Sequence, residues 1–193
     1  MGFVIRHTVL VSLVGLGVPG LAHAADCPNL PDLLTEISAH MNEVLLDEAQ
    51  ASARRAQEAI HCQSEPVSAM TLSALYQLTG ALYTFKGDDL QAKAAFEWAF
   101  SVAPTQPLDP HLGLKSERAF RAVHDELIQR PTGSVILLGE GDSWIDGRKV
   151  PTRERLELSS GPHLLQWRGD GESLQSRDIR LNPGDSLEIS LQH

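Results

Sequence analysis

The hydrophobic period of this chain changes once, at Pro131-Thr132-Gly133. Before that point apolar residues recur every three or four positions. After it they recur at every second position, in short runs broken by turns. A period near 3.6 buries one stripe of a helix, and a period of two buries one face of a strand. One kind of element cannot satisfy both patterns, so the chain is expected to be α+β: an N-terminal helical array followed by a small C-terminal β-sandwich. The halves are placed at 25–130 and 131–193.

Residues 1–24 are set apart from both. Arg6 and His7 make a short basic start, an apolar run extends from Thr8 to Leu21, and Ala22-His23-Ala24 supplies small residues for a signal peptidase. The run is short for a bilayer span and is broken by Gly15, Gly17, Pro19 and Gly20, so it reads as a cleaved secretory signal and not a retained anchor. The expected location is periplasmic or secreted. Asp26 fits poorly where a lipoprotein signal before Cys27 would need a small residue.

Export makes the two cysteines informative. Cys27 and Cys62 are the only pair in the chain, and an oxidising compartment favours a structural disulfide between them. A metal site would need more ligands than His61 beside Cys62. The whole chain has a formal charge of −9 and residues 1–24 carry a single basic residue and no acidic one, leaving −10 for the remainder. Bulk charge of that sign argues against nucleic acid and against anionic membrane surfaces.

The helical half reads as five helices. Pro31-Asp32 opens the first, with Leu33, Leu34, Ile37, Met41, Val44 and Leu45 at helical spacing. The second spans about Asp47 to His61 with a small-residue face of Ala49, Ala53, Ala56 and Ile60. The third runs from about Val67 to Phe85, the turn Lys86-Gly87-Asp88-Asp89 follows, and the fourth ends near Val102. A linker, Thr105 to Leu114, precedes a fifth helix over about Lys115 to Gln129, whose Phe120, Val123 and Leu127 would cover the exposed end of the preceding pair.

Tyr76-x2-Thr79-Gly80-x2-Tyr83, then Ala92-x3-Phe96, Ala99 and Pro104, resembles the tetratricopeptide repeat, a helix–turn–helix unit that stacks and binds proteins. The resemblance implies that Gly80 lacks a side chain where the neighbouring helix crosses, with Tyr83 and Phe96 filling the space between the two. Ala49, Ala53 and Ala56 precede Ala92, Phe96 and Ala99 by 43 residues, longer than the repeat's usual period. The first helix pair is therefore either a degenerate repeat or an ordinary helical hairpin.

The β half reads as six strands: Ser134–Leu138, Ser143–Gly147 ending in an Asp146-Gly147 turn, Arg155–Leu158, His163–Arg168, Gln175–Leu181 and Ser186–Leu191. It resembles the PEGA domain, a small β-module of exported bacterial proteins. The resemblance rests on Trp144-Ile145-Asp146-Gly147 with Lys149-Val150-Pro151, on Ser160-Gly161-Pro162-His163, and on Asn182-Pro183-Gly184-Asp185. It implies an envelope adaptor role. The chain departs from that family at Gly139-Glu140-Gly141-Asp142, which reads as a hairpin turn and lacks the ligand ladder of a calcium loop.

No catalytic constellation stands out. His40, His61, His111, His124, His163 and His193 show no metal-ligand spacing, and no G-x-S-x-G element is present. His163, on the turn into a strand, suits a hydrogen bond or solvent contact. His124-Asp125-Glu126 suits a solvated helix face, and Asp88-Asp89 suits a helix cap. Three tryptophans are candidates for a binding surface. Trp98 is placed either on a concave peptide-holding side or against the fifth helix. Trp144 and Trp167 are placed in the sheet core or, if neighbours on its outer face, as an aromatic platform for a sugar ring or a partner protein. The expectation is a cofactor-free, metal-free, non-enzymatic scaffold of the cell envelope, at most peripheral to the membrane and partnered by protein. The alternative is a module that binds glycan or peptidoglycan.

Overall fold

Helix α1 (Leu30–Asn42) opens with Pro31 in its first turn, and α2 (Leu46–Ile60) returns antiparallel to it. The computed structural model describes residues 27–191; the segment expected to be a signal peptide, and His193, lie outside the described residues. The chain is α+β, with the helices in the N-terminal half and two sheets in the C-terminal half. Cys27 and Cys62 are bonded, tying the arm before α1 to the end of α2. In the chain-entropy account a loop of this size is worth about 3–4 kcal/mol. Replacing both cysteines by serine is expected to lower the calorimetric melting temperature by roughly 6–12 °C.

Helix α3 (Ala69–Lys86) starts two residues later than its apolar pattern suggests, because Ser68 caps it through Thr71 N at 3.1 Å. Helix α4 (Asp89–Val102) is capped by Asp88, whose Oδ1 accepts from Gln91 N at 3.1 Å. The two hairpins match at the 43-residue offset. Leu33, Ile37, Ala49, Ala53 and Ala56 in the first, and Tyr76, Gly80, Ala92, Phe96 and Ala99 in the second, are all buried. The large and small residues trade places between them. Ile37 and Ala53 occupy in the first hairpin the positions of Gly80 and Phe96 in the second. A β-carbon on Gly80 would lie 2.4 Å from the Phe96 ring, so bulk on α4 requires its absence on α3.

Both hairpins also turn the same way. Asp88 N reaches Tyr83 O and Gly87 N reaches Thr84 O; likewise Leu45 N reaches His40 O and Val44 N reaches Met41 O. This is the Schellman arrangement, which places one residue in the left-handed region. In the second hairpin that residue is Gly87 at φ 77°; in the first it is Val44 at φ 61°. A β-branched side chain there costs about 1–2 kcal/mol that glycine avoids.

The linker after α4 carries a 3-10 turn, η1 (Pro110–Leu112), and α5 (Gly113–Leu127) begins inside the segment read as linker. This long connection brings the chain back along the hairpin. Phe96 packs edge-on to Phe120, and Phe100 edge-on to His124, so α5 runs parallel to α4. It covers the second hairpin, as the apolar stripe Phe120, Val123 and Leu127 predicts.

Seven strands follow: β1 (Gly133–Leu138), β2 (Asp142–Ile145), β3 (Arg148–Val150), β4 (Arg155–Leu158), β5 (Gly161–Arg168), β6 (Gln175–Leu181) and β7 (Ser186–Ser190). The sheets are β4-β1-β7 and β3-β2-β5-β6, and they enclose Val135, Leu137, Ile145, Leu165, Ile179 and Leu181. β3 was not legible as a strand. The 139–142 segment corrects another expectation: β1 and β2 lie in different sheets, so it is a crossover and not a hairpin turn. β1 and β7 pair in parallel. The other face of the larger sheet packs on the helices. Leu164 sits in the core of α1–α3, Gln166 Oε1 accepts from Val67 N at 2.9 Å, and His61 Nδ1 meets Ser176 Oγ at 2.8 Å. Buried Glu97 of α4 lies between Arg130 at 3.4 Å and Arg180 of β6 at 3.5 Å.

Candidate functional site

The proline-rich linker does more than break a helix. Gln77, buried on α3, grips it with both ends of its amide: Nε2 donates to Pro107 O at 3.0 Å, and Oε1 accepts from Asp109 N at 3.1 Å. Asp109 Oδ1 in turn accepts from His111 N at 2.9 Å and caps η1. Proline fixes φ and offers no donor, so Pro104, Pro107 and Pro110 make this segment stiff and extended. Held this way, it stands off α5 and leaves an open groove of about 600 Å³. The wall is apolar, from Pro107, Leu108, Pro110 and Phe120, and the rim carries Glu117, Arg121 and His124. Gln106 also lines it; its Oε1 is buried and meets no hydrogen-bond donor among the described residues. A buried acceptor without a donor is uncommon. The groove can accept an apolar side chain against this wall.

Of the repeat-signature residues, Tyr76, Gly80, Ala92, Phe96 and Ala99 are all buried between α3, α4 and the elements packed on them, with Tyr83 half-buried against the same cluster. Pro104 alone reaches the groove. Trp98 is half-buried and stacks on Tyr76, with centroids 4.8 Å apart and planes at 10°. Its stacking partner is therefore on α3 and not on the fifth helix. Burial, with the carboxylates of Asp178 and Asp146, pushes the Tyr76 phenol well above its ordinary range, which places this ring at the junction with the sheets.

The sheet tryptophans do not meet. Trp144 pairs with Gln166, and Trp167 with Ser143, so the register puts their side chains on opposite faces. Trp167 packs against the sandwich core. Trp144 faces the other way under the Arg168 guanidinium, 5.8 Å from its ring. A two-ring platform is thereby ruled out; both rings are half-buried, on opposite faces of the sheet.

His163 is 1 % exposed, so of the two roles expected for it only the hydrogen bond survives. Its Nδ1 lies 2.7 Å from Asp146 Oδ2 and its Nε2 2.8 Å from Ser159 O. Both partners are acceptors, so both ring nitrogens donate and the ring is an imidazolium. Burial pulls its pKa down, but the Asp146 carboxylate and the Ser159 carbonyl outweigh it and leave it raised. With neither nitrogen spare, this ring acts as a brace. Asp146 Oδ1 also accepts from Leu164 N at 2.9 Å, fixing the β2–β3 turn to β5. His124 shows its edge to Phe100 and its Nδ1 to Asp125 at 3.1 Å. Among the described residues no three of His, Cys, Asp and Glu are grouped to hold a metal ion.

Comparison with protein-family models, curated proteins and solved structures finds no match for this chain. No helix among the described residues is long and apolar enough to cross a membrane. The groove was missed in the sequence because its prolines signal only the end of a helix. Gln77 and Gln106, which shape it, belong to no local pattern.

Proposed function

We propose that the chain is an exported, non-enzymatic adaptor of the bacterial cell envelope that holds an extended segment of a partner protein in the groove beside α5. The observation that carries this reading is the groove itself, with stiff apolar walls and a polar rim. Such a surface suits an extended peptide, whose apolar side chain lies against the wall while its polar groups meet the rim. The paired hairpins support a tetratricopeptide-like helical half. The order of turns in the sheets supports a PEGA-like β half. The Cys27–Cys62 bond is in keeping with an oxidising compartment.

Affinity capture from periplasmic extract tests the reading. The wild-type chain is expected to retain a defined protein, and Leu108→Glu, which puts a carboxylate into the apolar wall, is expected to lose it by at least about tenfold. Circular dichroism should be unchanged, since Leu108 is only half-buried. Retention on cell-wall sacculi, lost in Trp144→Ala, with no protein captured, would replace the adaptor reading with glycan binding.

A further inference from the structure

Both hairpin turns lie at one end of the helical half, away from the sheets. Lys86, at the end of α3, joins them across the gap: its Nζ is 2.7 Å from Asp47 Oδ1 and 2.6 Å from Gln50 Oε1 on α2. This end is apolar where solvent should favour polar side chains. Val44 is 73 % exposed, Leu90 76 % and Phe85 50 %, with Leu45 beside them. These four are half of the large exposed apolar residues among those described, and they come from only two turns. Grouping of this kind marks an interaction surface.

Val44 adds a second, independent observation. It occupies the left-handed position that Gly87 fills in the matching turn, at a backbone angle that β-branched residues avoid. The strain supports no buried contact, because the side chain points into solvent. A strained residue kept at an exposed position points to a role outside the fold.

Charge decides what would cover this end. Glu43, Glu48, Asp88 and Asp89 are exposed around the apolar residues. The nearby lysines are turned inward: Lys86 to Asp47 and Gln50, and Lys115 Nζ to Thr84 O at 2.7 Å. An acidic rim repels a second copy of the same surface and an anionic bilayer alike. We propose that this end is a docking surface for a basic amphipathic segment of a partner protein. Its apolar side chains would lie against Val44, Leu45, Phe85 and Leu90, and its lysines or arginines over the four carboxylates. The inference rests on the adaptor reading but uses a different surface from the groove.

The probe is a fluorescent synthetic helix with leucines on one face and lysines on the other, paired with an identical helix carrying glutamate for lysine. Anisotropy titration of the purified protein should show binding of the lysine peptide, weakened by salt, and none of the glutamate peptide. Val44→Gly keeps every charge; it should weaken binding about tenfold or more while raising the melting temperature by roughly 2–4 °C. Leu90→Gln should weaken binding similarly with the helical signal unchanged. Equal affinity for both peptides, or undiminished binding by Val44→Gly, would overturn the proposal. So would concentration-dependent dimers or binding to anionic vesicles that Val44→Gly abolishes. Leu108→Glu should leave peptide binding intact. If it removes binding, the probe sits in the groove; the tip proposal then fails while the adaptor reading stands.

Discussion

Gly80→Ile is expected to cost about 4 kcal/mol or more, because its β-carbon already falls inside the Phe96 ring, 2.4 Å from the nearest carbon. Phe96→Ala is expected to cost about 3–5 kcal/mol for a different reason, a cavity left where a fully buried ring stood. The double variant should do far better than the two losses summed. It recreates in the second hairpin the arrangement the first already uses, with Ile37 on the leading helix and Ala53 on the returning one. A favourable coupling of about 2–3 kcal/mol is expected from a denaturant double-mutant cycle. Costs that simply add would show that the two hairpins do not share one packing scheme.

Asp146→Ala should be comparably severe, about 3–5 kcal/mol, since it strands the His163 imidazolium in the interior and removes the acceptor for Leu164 N. The same pair sets a pH dependence. His163 has a raised folded-state pKa, so the folded protein holds its proton more tightly than the unfolded chain. Its stabilisation is fully present below the ordinary histidine value near 6.5 and is lost as pH rises through the raised value. Urea midpoints across pH 6 to 10 should therefore fall on the alkaline side, and His163→Gln should flatten that fall. A His163→Gln profile with the same alkaline slope as wild type would assign the dependence to other groups.

The helices and most strands were legible because each carries its own period. The apolar stripe of α5 and the alternation in β7 name their buried faces without help from the rest of the chain. Gly80 was legible too, as a gap that a crossing ring would need. β3 was not, because Arg148, Lys149 and Val150 have no alternation to read. The tryptophan platform failed on register. Trp144 and Trp167 both lie on strands, but pairing Trp144 with Gln166 in place of Trp167 sends them to opposite faces, and pairing is a long-range choice. The groove failed likewise: its linker is shaped by Gln77, some thirty positions upstream. The exposed apolar tip had a signal in reach, since Leu90 stands just past a turn and outside any buried stripe.

Leu164 and Leu165 are adjacent in β5, yet one belongs to the core beneath the helices and the other to the core between the sheets. During synthesis the five helices emerge well before that strand does. Until β5 arrives, the surface that receives Leu164 stays open, and Val67 N has no Gln166 to bond. The helical half thus completes its burial only when β5 is available. A chain cut at the change of period would lose that cover. Heating the finished protein should give one cooperative transition and not two.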